Sequence, residues 1–216
     1  MARGSEIIGV GHCLPKRAVS SAEVAAGLGV DAGWIEARTG IRTRHVSGPG
    51  ETVVSLAATA ANDALKAAND ALTTISVDAI IVATSTGERM PSTASQVAAA
   101  LGVHAAAFDV NAACSGFGHA LAVADGLIRA DAAETALVIG ADVISTRLDW
   151  TDHATAPLFG DGAGAVVVRA CEEQRIGPVH WASVGEQGGL VTLRDVDRVI
   201  RQQGQPVFRW AIGLGA

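Results

Sequence analysis

Tyrosine is absent, and four tryptophans and four phenylalanines bring the aromatic share to only 4%. A core must therefore be built from alanine, valine, isoleucine and leucine, which pack helices and strands closely with few bulky fillers. Three cysteines are too few for a disulfide framework, and an odd number leaves at least one free or paired with another chain. Positive charge is in deficit: 16 Lys+Arg against 22 Asp+Glu give a net charge of −6, which argues against a basic nucleic-acid-binding surface. The segment Met1 to Leu14 has one short apolar run, Ile7–Val10, and lacks the roughly 7–15-residue apolar region of a signal peptide. No stretch approaches the roughly 20 apolar residues that cross a bilayer. A cytoplasmic, reducing setting is expected, with neither membrane nor nucleic acid as partner, and there the thiols need not pair.

What is present is apolar and small: 49% hydrophobic residues, 25 glycines and 42 alanines, with only 18% charged residues, a composition that excludes disorder. At 216 residues the chain suits one large α/β domain or two small ones. A chain of this size buries roughly 70% of its unfolded surface. Ile7–Val10 reads as a strand. Ser21 caps a helix through Gly27, and Asp31 caps a second to Thr39 and Gly40. His45–Gly50 reads as a loop. Thr52 opens a long helix to Ala71, with Leu56, Ala60, Ala64, Leu65 and Ala68 on one face. Ala79–Ala83 is an apolar run fit for a strand buried on both faces. A loop, Thr84–Met90, precedes a helix from Pro91 and Ser92 to Leu101, and Ala107–Val110 is a short strand. A helix opens at Cys114 and runs to about Ala130, with Phe117, Leu121, Ala124, Leu127 and Ile128 inward. Ala136–Ala141 and Ala163–Arg169 are further strands, and Val179–Val184 is another. Arg194–Gln205 is polar, and Pro206–Ile212 starts a helix. Strands alternating with helices imply an α/β fold with a largely parallel sheet covered on both faces.

The most informative local pattern is Asn111-Ala112-Ala113-Cys114-Ser115-Gly116-Phe117. A strand ends, small residues make a tight turn, and a helix begins. A thiol there meets the positive end of the helix dipole, which stabilises a thiolate. Small-x-Cys-x-Gly also permits the close backbone approach of a nucleophile elbow. The alternative is that Cys114 is a small buried apolar residue. Cys13, before Leu14-Pro15, reads as a packed thiol. Cys171 precedes Glu172-Glu173, whose charges disfavour a thiolate. No cysteine pair or Cys/His set has zinc-site spacing, so no metal is expected. Gly9-Val10-Gly11 begins like a dinucleotide loop but lacks the third glycine and runs into Pro15. Gly160-Asp161-Gly162-Ala163-Gly164 has no Lys-Ser/Thr and reads as a tight turn leading into a strand. A nucleophilic cysteine usually needs a histidine base. Among His12, His45, His104, His119, His153 and His180 none sits in a matching motif, and His119 lies on a different helix face from Cys114.

Taken in order, the motifs match a known family. They are Ile7-Ile8-Gly9-Val10-Gly11 with Leu14-Pro15, Trp34-Ile35 followed by Arg38-Thr39-Gly40-Ile41, and Glu51-Thr52. Then come Phe108 to Phe117 around Cys114, Phe159-Gly160-Asp161-Gly162-Ala163-Gly164-Ala165, and Val207-Phe208-Arg209-Trp210-Ala211. The chain resembles the N-terminal half and early second half of β-ketoacyl-acyl-carrier-protein synthase III, of the thiolase superfamily. The resemblance implies a layered αβαβα fold. Residues 1–170 would form the complete N-terminal half with the nucleophilic cysteine, and 171–216 the beginning of an incomplete C-terminal half.

The family, usually homodimeric, initiates fatty-acid synthesis by condensing an acyl-CoA primer with malonyl-acyl carrier protein. Acyl-CoA is a substrate, and no resident cofactor is implied. Carried over residue by residue, Cys114 would take the acyl group and its backbone N–H would contribute to an oxyanion hole. Trp34 would stack on adenine, with Arg38 and Thr39 near the nucleotide end. Leu158, Phe159, Gly204, Gln205 and Phe208 would line the pantetheine tunnel, Arg209 would meet phosphate charge, and Met90 would fall near the partner's acyl pocket. Two departures stand out. His153 occupies the position where many members place an arginine across the adenine. The His-Gln-Ala-Asn and Gly-Asn-Thr-Ser motifs that carry the family's catalytic histidine and asparagine do not occur. The isolated chain is therefore expected not to condense. A starter-unit synthase or acyltransferase of secondary metabolism, and a non-catalytic half needing a partner chain, are the alternatives. An unrelated cysteine hydrolase would need a base that the sequence does not offer.

Overall fold

The computed structural model describes residues 4–69, 75–87, 90–193 and 197–213. The chain forms two compact units, each assembled from three segments. The first comprises Met1–Pro15, Ser47–Asp142 and Gly162–Val179; the second comprises Lys16–Val46, Val143–Asp161 and His180–Ala216.

The first unit holds a mixed five-stranded sheet. Its strands are β1 (Gly4–Cys13), β4 (Ala79–Ala83), β5 (Ala106–Val110), β6 (Thr135–Val143) and β7 (Asp161–Cys171), in the order β1-β7-β6-β4-β5. Strands β5 and β6 flank β4 in parallel, while β1 runs antiparallel to β7. Every residue of β4 is buried, as its unbroken apolar run requires. Successive side chains of a strand point to opposite faces. Ile81 and Ala83 pack with Val138, Val166 and Val168 and with Ala120, Ala124 and Ile128 of helix α5 (Gly116–Arg129). Helices α3 (Val53–Ala68) and α4 (Thr93–Leu101) pack on each other, α3 against β1 and α4 against β4 and β5.

The glycines of β1 owe their presence to α3. A Cβ at Gly9 would overlap the Ala64 carbonyl, and one at Gly11 would overlap the backbone of Ala60 and Ala64. Gly9-Val10-Gly11 is therefore a strand flattened against an alanine-faced helix, whose Ala57, Ala60, Ala61 and Ala64 are fully buried. Thr52 caps α3 in a reciprocal box with Ser55. The expected extension of this helix to Ala71 falls partly outside the described residues.

The second unit contains helices α1 (Ser21–Leu28) and α2 (Ala32–Thr39) and the antiparallel pair β2 (Arg17–Ser20) and β3 (Thr43–Val46). It also contains a second small pair, β8 (Val191–Leu193) with β9 (Ile200–Gln202), and helix α6 (Gly204–Gly213). Val19, Val24, Ala25, Leu28, Ile35, Val46 and Ala156 form its core. Among the described residues no helix is long and apolar enough to cross a membrane.

Several local expectations are corrected. Ser20, not Ser21, caps α1; Ser21 is buried inside the helix, and its hydroxyl donates to the Ile41 carbonyl at 2.5 Å. His45 lies in β3 rather than in a loop, because residues 43–46 find a ladder partner at 17–20. Val179–Val184 is not a strand: it is exposed throughout, and among the described residues no strand pairs with it. The polar stretch 194–205 contains β9, paired with residues 191–193. Gly160-Asp161-Gly162 is not a tight turn, since Asp161 and Gly162 already belong to β7. A Cβ at Gly160 would come within 3.0 Å of Arg44 Cβ and the His45 carbonyl, and one at Gly162 within 3.2 Å of Leu14.

Candidate active site

Strand β5 ends at Val110, and the chain turns through Asn111 into a 3-10 turn, Ala113–Ser115, before α5 begins at Gly116. The helix thus starts two residues later than expected. Ala113 has φ +46°, a left-handed conformation unfavourable for a residue with a side chain. Its N–H donates to Asn111 Oδ1 at 3.3 Å, and the Ser115 hydroxyl donates to the Ala112 carbonyl at 2.8 Å. Cys114 is the middle residue of this pinned turn and is exposed. The buried alternative is thereby excluded. No side chain caps α5, and its first turn holds no acidic residue, so the positive end of the helix faces the Cys114 turn with no carboxylate of its own first turn to offset it. Gly116 lets the helix approach β4: a Cβ there would lie 3.3 Å from that of Ala83. Phe117, expected inward, is 38% exposed and rests against Gly140. Among the described residues no side chain hydrogen-bonds the Cys114 sulfur. His119 Nδ1 instead meets the Ser115 carbonyl at 2.9 Å. Met90 lies in the same unit and is 98% exposed.

The second unit brings three of the expected nucleotide-site residues together. Asp31 caps α2 through the Gly33 N–H at 2.8 Å, and Gly40 closes the helix at φ +70°. Trp34 and Arg38 therefore lie one turn apart on one face. The Arg38 guanidinium carbon sits 4.4 Å from the Trp34 ring centroid, and Arg38 Nη1 donates to the Trp34 carbonyl at 3.2 Å. His153 meets the same indole edge-on, centroids 5.9 Å apart and planes at 83°. Arg38 covers one indole face, so a stacking purine would use the other face or displace the guanidinium. The Thr39 hydroxyl donates to the Ile35 carbonyl at 2.8 Å and accepts from the Ile41 N–H at 3.0 Å, which commits it to closing α2.

His153 is carried by a polar turn. Asp149 accepts from the Thr151 N–H and hydroxyl, and Asp152 from the Ala154 N–H and the Thr155 hydroxyl. Arg201 on β9 reaches Asp149 at 3.3 Å and Asp197 at 3.4 Å. The Thr151 hydroxyl and N–H, helped by Arg201, hold the Asp149 carboxyl below the ordinary carboxylate range. The same carboxylates push the Arg201 guanidinium up. Leu158 is exposed and Phe159 half-buried just after this turn. Gly204, Gln205, Phe208 and Arg209 lie on α6, which packs against the 185–190 turn. Phe208 is 66% exposed, and Arg209 is also exposed.

Two features were not visible in the sequence. The Asp149–Arg201 pair joins distant segments. Arg44 on β3 is buried, at 5% exposure, with its pKa lowered by that burial. None of these three residues sits in a motif, and only the tertiary fold gives them partners. Among the described residues no group of His, Cys, Asp and Glu side chains could hold a metal ion.

Comparison with known proteins gives a consistent answer. The family model for 3-oxoacyl-[acyl-carrier-protein] synthase III matches residues 108–185. The chain is 49% identical over 216 residues to β-ketoacyl-[acyl-carrier-protein] synthase III 4 of Streptomyces coelicolor, covering 98% of this chain and 68% of that protein. It is 48% identical to synthase III 2 of Streptomyces avermitilis, covering 96% and 67%. The crystal structure of 3-oxoacyl-(acyl carrier protein) synthase III from Pseudomonas aeruginosa matches with a TM-score of 0.90 at 40% identity, over 97% of this chain and 67% of that one. The priming β-ketosynthase of the R1128 polyketide pathway matches with a TM-score of 0.91 at 34% identity, over 98% and 67%. The chain thus spans about two thirds of the length of these relatives. The fold is thiolase-like, and the chain belongs to the β-ketoacyl-acyl-carrier-protein synthase III family of condensing acyltransferases.

Proposed function

We infer that Cys114 is the acyl acceptor of a condensing enzyme that initiates fatty-acid synthesis. The observation that carries this reading is an exposed Cys114 on a strained turn at the uncapped N-terminus of α5. The Cys114 thiolate attacks the thioester carbonyl of acyl-CoA, the oxyanion is met by the Cys114 backbone N–H, and CoA leaves as its thiol. In the family's full reaction malonyl-acyl carrier protein then loses CO2, a step whose histidine and asparagine motifs do not occur in these 216 residues. The resulting carbanion attacks the Cys114 thioester, forming the carbon–carbon bond and releasing the thiol.

In this reading Trp34, Arg38 and His153 receive the nucleotide, and Leu158, Phe159, Gly204, Gln205 and Phe208 line the pantetheine path. Arg209 faces phosphate, and Thr39 acts by shaping the end of α2. Met90 reaches the acyl pocket of a second copy, in a homodimer in the cytoplasm. Residues 1–170 and 171–216 belong to the two pseudo-symmetric halves of the fold. Intact-protein mass spectrometry after incubation with acetyl-CoA tests the reading: one acetyl adduct is expected, mapping to Cys114 and absent from Cys114→Ala. An adduct on Cys13 or Cys171 instead would overturn it.

The match to a polyketide priming synthase favours a second reading, a starter-unit synthase of secondary metabolism. Competition among acyl-CoAs of different chain length for Cys114 separates the two, since a preference for acetyl-CoA supports fatty-acid priming.

A further inference from the structure

Arg44 is 5% exposed, yet no carboxylate among the described residues pairs with it. Its Nη2 donates to Ser21 Oγ and to the Pro157 carbonyl, both at 3.1 Å, and Nη1 lies 3.5 Å from the Val19 carbonyl. Its Nε has no hydrogen-bond partner. A buried cation compensated only by neutral oxygens is costly, and apolar residues would fill the same space more stably. The three acceptors belong to two parts of the chain, Val19 and Ser21 where β2 runs into α1 and Pro157 far along the sequence. Ser21 passes the contact on, donating to the Ile41 carbonyl just beyond α2, the helix that carries Trp34 and Arg38. Pro157 closes the turn that begins with His153 and runs into Leu158 and Phe159. Arg44 is thus bonded directly to the turn that carries His153 and, through the Ser21 hydroxyl, linked to the end of α2, the helix that carries Trp34.

We propose that Arg44 is a positioning residue that sets the spacing of the Trp34–His153 clamp and thereby the preference for CoA over its nucleotide-free analogue. The proposal rests on the assignment of Trp34 and His153 to the nucleotide. A lysine cannot replace the fork, because one ammonium does not present two N–H groups in a fixed plane.

The test compares binding of CoA and of pantetheine, and the maximal rate of Cys114 acetylation, in wild type, Arg44→Met, Arg44→Lys, Ser21→Ala and Trp34→Ala. Arg44→Met removes every guanidinium hydrogen bond, and a loss at the CoA site worth one of them predicts a roughly ten-fold weaker affinity. Pantetheine affinity should fall by clearly less than CoA affinity, because only the Trp34–His153 contact depends on both anchored segments, and the maximal acetylation rate should stay unchanged. Arg44→Lys should recover only part of the CoA affinity, and Ser21→Ala, which keeps Arg44 in place, should shift CoA binding in the same direction by less. If Arg44→Met and Ser21→Ala weaken both ligands equally, or neither, while Trp34→Ala selectively weakens CoA, the positioning role is overturned and the nucleotide site stands. If Trp34→Ala leaves CoA binding intact, the nucleotide site itself is elsewhere and the role of Arg44 falls with it.

Discussion

At the residue scale the chemistry is unevenly distributed between what is local and what is not. Cys114 was legible because everything that qualifies it lies within a few positions: the strand end, the small residues, the helix that follows. The left-handed φ of Ala113 was not legible, since alanine gives no sign of the turn it is forced into. His153 is a departure whose consequence is electrostatic. A guanidinium there would carry a fixed positive charge and a planar fork of donors, which an imidazole lacks. If His153 faces the CoA nucleotide, His153→Arg should bind CoA more tightly than wild type. Equal affinities, measured by calorimetry, would remove His153 from the nucleotide site.

At the element scale, two contacts decide how the parts hold. The first is α3 lying on β1, where a single methyl has nowhere to go. Gly11→Ala should destabilise the chain by about 1–3 kcal/mol through overpacking, read as a lower denaturant midpoint with an unchanged slope. A midpoint equal to wild type would mean that α3 does not sit so close. The second is the Asp149–Arg201 pair, which ties the β8–β9 hairpin to the turn carrying His153. The Asp149 carboxyl is depressed below its ordinary 3.8 in the fold. Its contribution is therefore present above that value and is lost as the pH falls from there through the lower folded value. Wild type should exceed Asp149→Asn in stability at neutral pH, and the difference should vanish on acidification below the ordinary carboxylate range. A difference that persists unchanged in acid would show that the charge is not responsible. The helices and central strands were readable from caps and period. The pairs β2–β3 and β8–β9 were not, because each short strand is defined by a partner rather than by its own pattern.

At the scale of the whole molecule, the chain is a member of the synthase III family that spans about two thirds of its relatives' length. Its 216 residues contain neither the His-Gln-Ala-Asn nor the Gly-Asn-Thr-Ser motif, and among the described residues no histidine is bonded to Cys114. In the proposed reaction acyl loading uses the Cys114 turn at α5, whereas the two motifs that the family resemblance implies for decarboxylation do not occur in this sequence. The 216-residue chain should therefore acetylate Cys114 but release no CO2 from malonyl-acyl carrier protein. Radiolabelled malonyl substrate gives the readout, and normal condensation turnover would defeat the expectation.

The sequence by itself determined the family, the candidate nucleophile and the alternation of strands and helices, because motif order and short-range periodicity are properties of the chain. The tertiary structure alone decided that Arg38 and His153 share one indole, that Arg44 is buried between two segments, and that β1 needs its glycines for a helix rather than a nucleotide. Those outcomes depend on which distant surfaces pack together, and burial, the quantity that turns a surface arginine into a fixed fork, exists only once they have.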